Sequence, residues 1–422
     1  MPVLLGAVAD DFTGATDLCS MLVRNGMRTA QLIGVPEPGL DLPATDALVV
    51  ALKSRTAPVA EAVARSLAAL DWLGRQGARQ FLFKYCSTFD STEEGNIGPV
   101  ADALMDALGT DFTIACPAFP ETSRTVFKGH LFVGDLLLSD THMRHHPLTP
   151  MTDANLVRVL QRQTRRKVGL VPFDVVRRGP DAIRARFAAL RAQGCSYAVT
   201  DVLEDEDLRL LGAAGRDLAL ITGGSGIAMG LPDNFRAEGL LPAGPTADTL
   251  PAIQGAEVVL AGSCSAATLG QIEAMQQSRP ALRLDPLRLA EGSDPAEAVA
   301  WACQRMGEGP VLVYASAPPE EVRAIQDRLG RDRAGSLIED ALAAVARGVV
   351  EAGARRLVVA GGETSGAVVE ALGVKGLVIG PMIAPGVPAT VSLGREPPLA
   401  LALKSGNFGG RDFFLEAFRT MP

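Results

Sequence analysis

The chain has 422 residues, a net charge of −8, and 47% hydrophobic but only 5% aromatic residues. This length exceeds what one hydrophobic core usually organises, so two domains are expected. The acidic balance argues against nucleic acid or an anionic membrane surface as a partner, because both favour a basic face. A small anionic substrate remains compatible with it, since a local basic pocket can form in an acidic protein.

The cysteines and the N-terminus indicate the compartment. No two of the six cysteines form a CxxC pair, which argues against a zinc ribbon or a redox pair. Scattered thiols are typical of the reducing cytoplasm. The first residues lack the basic region of a signal peptide, and no apolar run reaches the roughly 18 residues of a membrane span. We therefore expect a cytoplasmic protein without a membrane partner.

Apolar runs typical of strands alternate with Ala/Leu-rich helical stretches along the chain. The first half predicts strands at 3–9, 29–33, 47–51, 80–84, 112–115, 167–171 and 197–200, and helices at 14–25, 58–75, 99–108 and 181–193. The second half predicts strands at 258–261, 311–315, 357–360 and 400–403, and helices from 266 to 275, 339–351 and 367–372. Alternation of this kind predicts an α/β protein of two domains, each a mostly parallel sheet flanked by helices.

A proline-rich segment at 240–254, LLPAGPTADTLPAIQ, interrupts the alternation. It lacks periodic apolar residues, and the pattern restarts after it. We therefore predict one domain at 1–245 and another at 250–422.

Two adjacent acids follow the first predicted strand, Asp10 and Asp11 in ADDFTGA. Ligands of open α/β sheets bind at the carboxyl ends of strands. One acid could simply cap the following helix. Two acids with a threonine favour sugar hydroxyl binding, or a general base for one hydroxyl.

Two further segments offer groups for an anionic ligand. Lys84 ends a predicted strand and is followed by a polar turn that contains Asp90 and Ser91; a capped surface turn is the structural alternative. Arg124, in PAFPETSR, is a natural carboxylate partner, although an exposed surface arginine is almost as compatible with the pattern.

Glycine-rich turns occur in both halves. GGSGIAMG at 223–230 weakly matches a dinucleotide fingerprint, but a tight turn or an anion contact suits its position better. The second domain has three turns rich in glycine and hydroxyl residues, at 262–265, 361–366 and 403–409. Each is weak alone, yet three together favour a shared phosphate-binding wall. None is a Walker A motif.

Four ordered motifs resemble the four-carbon acid sugar kinases: ADDFTGATD, an Asp-Ser-Thr…Gly-Asn element, PAFPETSRTV and GGETSGAVVEALG. KYCSTFDSTEEGNIG, GHLFVGDLLLS, MRHHPLTPMTD and LALKSGNFG look most like the 3-oxo-tetronate kinase branch. The resemblance covers essentially the whole chain. It implies a sugar-acid-binding N-terminal domain, an ATP-binding C-terminal domain, and phosphorylation of a 3-oxo-tetronate at O4.

The resemblance also implies roles for individual residues. The substrate would contact Asp10, Asp11, Lys84, Asp90 and Arg124, and the nucleotide would contact Ser263, Gly361, Gly362, Glu363, Thr364 and Gly406. Two departures from the family pattern stand out. Glu363 replaces an aspartate that many relatives carry, and Glu93-Glu94 replaces Leu-Arg, which removes a cation that could bind the substrate carboxylate.

The sequence therefore predicts a cytoplasmic ATP-dependent kinase that uses Mg²⁺ to bridge the phosphates. Asp11 is the preferred general base, with Asp10 close behind. The partners are a small sugar acid and ATP, and a homo-oligomer stays open. The alternatives are an NAD-dependent sugar-acid dehydrogenase that uses the Gly224 turn, and a non-catalytic sugar-acid sensor.

Overall fold

The computed structural model describes residues 3–146, 149–242 and 246–422. The chain divides into two compact units, Met1–Ala247 and Asp248–Pro422. Residues 243–245 of the proline-rich segment, at the predicted end of the first domain, lie outside the described residues.

The first unit alternates strands and helices. Its strands are β1 (Leu5–Ala9), β2 (Thr29–Ile33), β3 (Ala47–Ala51), β4 (Gln80–Lys84), β5 (Thr113–Cys116), β6 (Arg124–Phe127), β7 (His130–Val133), β8 (Leu136–Leu137), β9 (Lys167–Val171), β10 (Cys195–Thr200) and β11 (Leu220–Gly223). Its helices are α1 (Phe12–Arg24), α2 (Val59–Arg75), α3 (Ile97–Leu108), α4 (Leu156–Gln163), α5 (Phe173–Val176), α6 (Pro180–Ala192), α7 (Asp205–Ala214) and α8 (Pro232–Ala237).

The main sheet of this unit has the order β2-β3-β1-β4-β11-β5-β10-β9, and its neighbouring strands are parallel. The central strands β1, β4, β11 and β5 are buried along their whole length, as expected of a parallel sheet that is covered on both faces. The register pairs Ala9 with Ala51 and with Lys84. The chain segments that follow β1, β3 and β4 therefore leave the sheet side by side. Strands β6, β7 and β8 form a small antiparallel sheet.

The second unit repeats this architecture with its own elements. Its strands are β12 (Ala256–Ala261), β13 (Ala281–Arg283), β14 (Val311–Tyr314), β15 (Ala354–Ala360), β16 (Gly376–Ala384), β17 (Val387–Leu393) and β18 (Ala400–Lys404). Its helices are α9 (Ala266–Gln276), α10 (Pro286–Ala290), α11 (Ala296–Cys303), α12 (Pro319–Leu329), α13 (Arg331–Glu351), α14 (Gly362–Ala371) and α15 (Phe413–Thr420).

The strands of this unit follow the order β13-β14-β12-β15-β18-β17-β16. The first five are parallel, and the pairs β18–β17 and β17–β16 are antiparallel. Ala360 pairs with Ala261 on one side and with Lys404 on the other, so the turns after these three strands are neighbours. The predicted fold class, a two-domain α/β protein with mostly parallel sheets, is confirmed.

Two predicted helix starts differ from the structure by five residues or more. Helix α14 begins at Gly362 rather than at residue 367, so most of the GGETSG turn forms its first turns. Helix α13 begins at Arg331, eight residues before the predicted start. Glycines have poor helix propensity, and exposed charged residues carry no apolar periodicity, so both starts were hidden from pattern reading.

None of the helices that the structure describes is long and apolar enough to cross a membrane.

Candidate functional site

Asp10 and Arg55 form the centre of a polar cluster at the carboxyl ends of β1, β3 and β4. Arg55 donates from Nε and Nη2 to the two carboxylate oxygens of Asp10, both at 2.9 Å. The Asp10 side chain is 7% exposed. Burial raises the pKa of Asp10, and the Arg55 guanidinium opposes that rise. A bidentate pair of this kind fixes both side chains in one geometry.

Asp11 serves as the N-cap of α1, where its carboxylate accepts a hydrogen bond from the Gly14 backbone at 3.0 Å. The same oxygen lies 2.8 Å from Nη2 of Arg55. About a third of the Asp11 side chain is exposed, at 31%. Asp11 therefore combines the structural role of a cap with a carboxylate that a ligand can reach, whereas both oxygens of Asp10 are held by Arg55.

Lys84 is buried at the end of β4, with 3% exposure. Its Nζ atom lies beside Gly14, where an added Cβ would approach it to 2.5 Å. The Lys84 ammonium forms no hydrogen bond or ion pair with any residue that the structure describes, although its charge acts on Asp10 and on Asp17 of α1. Burial raises the pKa of Asp17, and the Lys84 charge lowers it. A buried ammonium in this setting needs an anionic partner, which a ligand carboxylate can supply.

Asp90 joins the same cluster from the turn after β4. Its carboxylate accepts from the Thr88 hydroxyl at 2.5 Å and lies 4.0 Å from Nη1 of Arg55. Asn96, the last residue of the Asp-Ser-Thr…Gly-Asn element, donates to the backbone carbonyls of Ser54 and Arg55 at 2.7 and 3.1 Å. This element therefore supports the loop that carries Arg55.

The side chains of Ser91 and Arg124 contact other residues than those of the Arg55 cluster. The Ser91 hydroxyl accepts from the Gln163 side chain at 2.9 Å, and Ser91 lines a separate cavity of about 230 Å³ with Met151 and Arg162. Arg124 donates to the carbonyl of Thr122, and its buried Nε atom has no partner within the described residues. Ser91 thus has a structural contact, whereas Arg124 keeps one unused donor.

Glu93, one of the two acids that replace Leu-Arg in the family pattern, is exposed and forms an ion pair with Arg162 at 3.0 Å. This pair borders the same cavity as Ser91. Arg162 comes from α4, so a cation is present near this turn, although it is already paired.

The glycines of the 223–230 turn are explained by close backbone packing. A Cβ at Gly223 or Gly224 would lie 2.2 or 2.7 Å from the carbonyl oxygens of Cys116 and Pro117. A Cβ at Gly230 would lie 2.6 Å from the Leu208 carbonyl. The turn is buried and its space is filled by protein, which leaves no room for the pyrophosphate of a dinucleotide. The dehydrogenase alternative has no site in this turn.

Three turns meet in the second unit, as the three parallel strands β12, β15 and β18 require. A Cβ at Gly262 would lie 2.3 Å from the Thr364 hydroxyl, and one at Gly406 would lie 2.5 Å from the Ser263 hydroxyl. Gly361 has φ of +131°, a backbone conformation that favours glycine. The predicted grouping of these turns is therefore present in the geometry, and it places the N-termini of α9 and α14 beside one another.

Lys404 is buried at the centre of these turns, with 1% exposure. Its ammonium donates to the Gly406 carbonyl at 2.8 Å, the Ser405 carbonyl at 3.1 Å and the Thr268 hydroxyl at 3.1 Å. The Gly406 carbonyl also accepts from Ser265 at 2.6 Å. Burial lowers the pKa of Lys404 to about 8. All three ammonium donors are used, so Lys404 holds the Gly406 turn in place.

A cleft of about 270 Å³ opens beside two of the turns. It is lined by Gly262, Ser263, Gly335, Ile338, Glu339, Gly361, Gly362, Glu363 and Thr364. The Thr364 hydroxyl makes no hydrogen bond within the described part of the chain, which leaves it available to a ligand.

Glu363 is exposed on the first turn of α14, which begins after Gly361 without a side-chain cap. Its carboxylate forms no hydrogen bond to the helix terminus among the described residues. The contacts of Glu363 therefore give no support to a helix-capping role.

Sequence reasoning missed Arg55, Asp17 and Lys404. Arg55 lies in a polar loop, 45 residues from Asp10, and no local pattern singles it out. Asp17 is the last residue of the ADDFTGATD motif, three residues after Gly14 on α1, where helical spacing could have indicated it. Lys404 stood within the predicted LALKSGNFG segment, but its burial follows from the sheet order.

Family models match both halves of the chain. A sugar-binding N-terminal domain matches residues 5–231, and a nucleotide-binding C-terminal domain matches residues 258–414. The chain belongs to the four-carbon acid sugar kinase family. The Arg55 cluster therefore lies in the sugar-binding domain of a family member, and the three glycine turns lie in its nucleotide-binding domain.

Curated relatives and a solved structure align with this chain over nearly its whole length. A 3-oxo-tetronate kinase from Cupriavidus necator is 63% identical, over 99% of this chain and 97% of the relative. One from Pseudomonas fluorescens is 61% identical, over 98% and 96%. The crystal structure of a Haemophilus influenzae protein aligns with a TM-score of 0.89 and 44% identity, over 99% of this chain and 100% of that chain.

Proposed function

We propose that this protein is a 3-oxo-tetronate 4-kinase, which transfers the γ-phosphoryl group of ATP to the C4 hydroxyl of a 3-oxo-tetronate in sugar-acid catabolism. The observation that carries the proposal is that three turns rich in glycine and hydroxyl residues meet in the nucleotide-binding domain. The similarity to curated kinases along the whole chain supports the choice of acceptor.

In the sugar-binding domain, Asp11 is the proposed general base for the C4 hydroxyl. Asp11 has an accessible carboxylate, whereas Asp10 is buried and bound to Arg55, so Asp10 is the second choice. General bases of this kind contribute about 10²–10⁴-fold to rate.

Lys84 is proposed to bind the substrate carboxylate, because it is a buried cation without a hydrogen-bond partner among the described residues. Asp90 is proposed to bind sugar hydroxyls, because its carboxylate lies next to Arg55 in the same cluster. Arg124 stays a proposed contact through its unused Nε, and Ser91 through its position next to Asp90.

In the nucleotide-binding domain, the phosphates of ATP are proposed to bind the turns at Ser263, Gly361, Gly362, Thr364 and Gly406. The first backbone N–H groups of α14 and the Thr364 hydroxyl lie at the N-terminus of this helix. The helix dipole favours negative charge there. Catalysis of phosphoryl transfer depends mainly on such positioning and charge neutralisation.

Mg²⁺ is proposed as the cofactor, and Glu363 is the residue that would hold it, directly or through water. The described residues contain no group of three or more His, Cys, Asp or Glu side chains that could hold a metal. A single carboxylate, that of Glu363, fits Mg²⁺, because this ion is commonly held by substrate phosphates, waters and one or two carboxylates. The ion would neutralise charge on the phosphates during transfer.

The test is a coupled ADP-release screen across L- and D-series 3-oxo-tetronates and the corresponding plain tetronates. We expect substrate-dependent ADP release with one oxo-tetronate far above the others, and a phosphorylated product at O4. ADP release with plain tetronates alone would reassign the acceptor. A protein that binds a sugar acid without ADP release would support the sensor alternative. A cytoplasmic location and a homo-oligomer stay predictions.

A further inference from the structure

Gln271 of α9 is a fully buried polar residue, with 0% exposure. Its amide nitrogen Nε2 donates to three consecutive carbonyl oxygens in the segment that follows β18. These are the carbonyls of Phe408, Gly409 and Gly410, at 3.1, 3.1 and 3.0 Å. The two hydrogens of the amide are therefore shared among three acceptors.

The other end of the Gln271 amide has no comparable role. Its Oε1 atom is buried and has no hydrogen-bond partner among the residues that the structure describes. A buried acceptor without a partner costs free energy, which an apolar side chain of similar size would avoid. The glutamine is therefore explained by its donor end alone, and by what that end does to the segment after β18.

The first part of the same segment is held in a similar way. The Gly406 carbonyl accepts from the Ser265 and Thr268 hydroxyls at the start of α9, at 2.6 and 3.0 Å. The Lys404 ammonium donates to the carbonyls of Gly406 and Ser405, at 2.8 and 3.1 Å. Together with the contacts of Gln271, these bonds direct five carbonyls of residues 405–410 toward α9 and Lys404.

The N–H groups of this segment point away from α9, because the N–H and C=O groups of a trans peptide are opposed. Each carbonyl that faces α9 turns the N–H of the next residue outward. The outward N–H groups are those of Gly406, Asn407, Gly409, Gly410 and Arg411. None of them donates to an acceptor within the described part of the chain. Successive N–H groups that are free in this way form a surface that binds anions.

This surface adjoins the turns that are proposed to bind phosphate. A Cβ at Gly406 would lie 2.5 Å from the Ser263 hydroxyl. The N–H groups at 409–411 therefore extend the Ser263 and Gly406 turns, and Gln271 is the residue that holds their peptides in place.

We propose that Gln271 is a positioning residue for nucleotide binding, which holds the carbonyls of residues 408–410 against α9 and so keeps the N–H groups of 409–411 directed at the phosphates of ATP. The inference rests on the proposed function, since it takes ATP as the phosphoryl donor. Gln271 itself touches no ligand, because it is fully buried. Its loss should weaken nucleotide binding and leave the sugar-acid site unaffected.

The test compares Gln271→Met with Gln80→Met. Methionine is similar in size to glutamine and removes the amide donor. Gln80 is a matched control, because its buried Nε2 donates to the carbonyls of Gly215 and Leu218, at 3.0 and 2.8 Å. Gln80 begins β4, at the amino end of the strand. ADP binding is measured by calorimetry, KM and kcat by ADP release, and unfolding by thermal melting.

Both variants should melt below the wild-type temperature, because buried carbonyls lose a donor. Gln271→Met should weaken ADP binding and raise the KM for ATP roughly tenfold, which corresponds to about one hydrogen bond to a charged group. Its kcat and its KM for the sugar acid should stay within about twofold of wild type, as expected when only binding of the nucleotide is lost. Gln80→Met should bind ADP with wild-type affinity.

Amide hydrogen exchange of the wild-type protein gives a second test, which does not depend on how well a variant folds. Peptides that cover residues 405–411 are followed by mass spectrometry with and without ADP. We expect ADP to slow exchange at 409–411 by about tenfold or more, because an N–H group bound to phosphate exchanges only when that bond opens.

Wild-type ADP affinity in a folded Gln271→Met variant would overturn the inference, and so would exchange at 409–411 that ADP leaves unchanged. An equal loss of ADP affinity in Gln80→Met would also overturn it, because the effect would then follow stability rather than the segment after β18. Failure of the proposed function would look different, since the wild-type chain itself would bind no ADP.

Discussion

Arg55 holds Asp10 by two parallel hydrogen bonds of 2.9 Å and extends the same guanidinium to Asp11 at 2.8 Å. One cation thus fixes two adjacent carboxylates at the carboxyl end of β1. Arg55 itself is fixed by its loop, since its backbone N–H and that of Ser54 donate to the Asp10 carbonyl at 3.2 and 3.0 Å. The geometry of the acceptor site therefore depends on a residue outside every sequence motif.

Arg55→Lys should preserve charge and lose the fork that binds Asp10 and Asp11 together. We expect kcat/KM for the sugar acid to fall about 100-fold, since small displacements of catalytic groups cost that much. Stability should fall by about 1–3 kcal/mol, because buried Asp10 loses hydrogen bonds. Steady-state ADP release and denaturant unfolding measure the two effects.

Arg28→Lys is the matched control for this change. Arg28 forms the same bidentate pair with buried Asp46, at 2.9 and 2.7 Å. Arg28 directly precedes β2 and Asp46 directly precedes β3, so this pair lies away from the carboxyl ends of the strands. It should lose similar stability and keep kcat/KM. Equal losses of activity in both variants would show that Arg55 acts through stability alone.

Asp11→Asn distinguishes the role of Asp11 as the N-cap of α1 from its proposed role as the general base. Asparagine caps helices as well as aspartate does, so the melting temperature should change little. It cannot accept a proton at neutral pH, and kcat should fall by at least about 100-fold. The corresponding control is Asp285→Asn at the N-cap of α10, which should leave kcat unchanged. Near-normal kcat in Asp11→Asn would remove Asp11 as the base and leave Asp10 to be tested.

The sequence predicted the fold well where one strand or helix carries its own pattern. Strands β2, β3, β4 and β9 match their predicted bounds, because short apolar runs between polar segments are recognisable locally. The start of α14 was mispredicted, since the glycines that suit an anion turn also hide a helix.

The site was predictable only as far as its residues lie in motifs. Asp10, Asp11, Lys84 and Asp90 are predictable because each stands at or near the end of a strand. Arg55 could not be found this way, since it is joined to them by the register of β1, β3 and β4 rather than by sequence distance. Ser91 shows that a residue within a motif need not belong to the cluster. Its neighbour Asp90 lies near Arg55, whereas Ser91 contacts Gln163.

Thr364→Val should reveal whether the free hydroxyl binds the nucleotide. Valine keeps the shape of threonine and removes the hydrogen-bonding group. We expect the KM for ATP to rise about tenfold, the value of a hydrogen bond to a charged group, and Thr364→Ser to stay near wild type. Thr390→Val is the control, because Thr390 donates to the Leu401 carbonyl at 2.8 Å inside the sheet; it should lose stability without a change in KM.

Glu363→Gln tests the proposed magnesium contact. Removing the charge should raise the Mg²⁺ concentration needed for half-maximal rate by roughly tenfold, while ADP binding without Mg²⁺ stays unchanged or improves slightly. Titration of Mg²⁺ at saturating ATP measures the effect. Glu370→Gln, an exposed acid later on α14, should leave the Mg²⁺ dependence at the wild-type value. An unchanged Mg²⁺ requirement in Glu363→Gln would contradict the contact.

Lys404 should make nucleotide binding depend on pH above neutrality. Burial lowers its pKa from 10.5 to about 8, so it loses its proton in the folded protein well before it would in the unfolded chain. The neutral amine has two donors and cannot bind Thr268, Ser405 and Gly406 together. The KM for ATP should therefore rise as the pH increases through about 8.

The stability of the protein should respond to the same titration with the opposite sign. Between pH 8 and 10.5 the unfolded chain binds more protons at this lysine than the folded one, so this group makes folding more favourable as the pH rises. Lys404→Met should remove both effects, giving a higher KM for ATP that no longer changes near pH 8. A wild-type KM that is flat from pH 7 to 9, or a Lys404→Met profile with the wild-type slope, would show that Lys404 does not set the Gly406 turn.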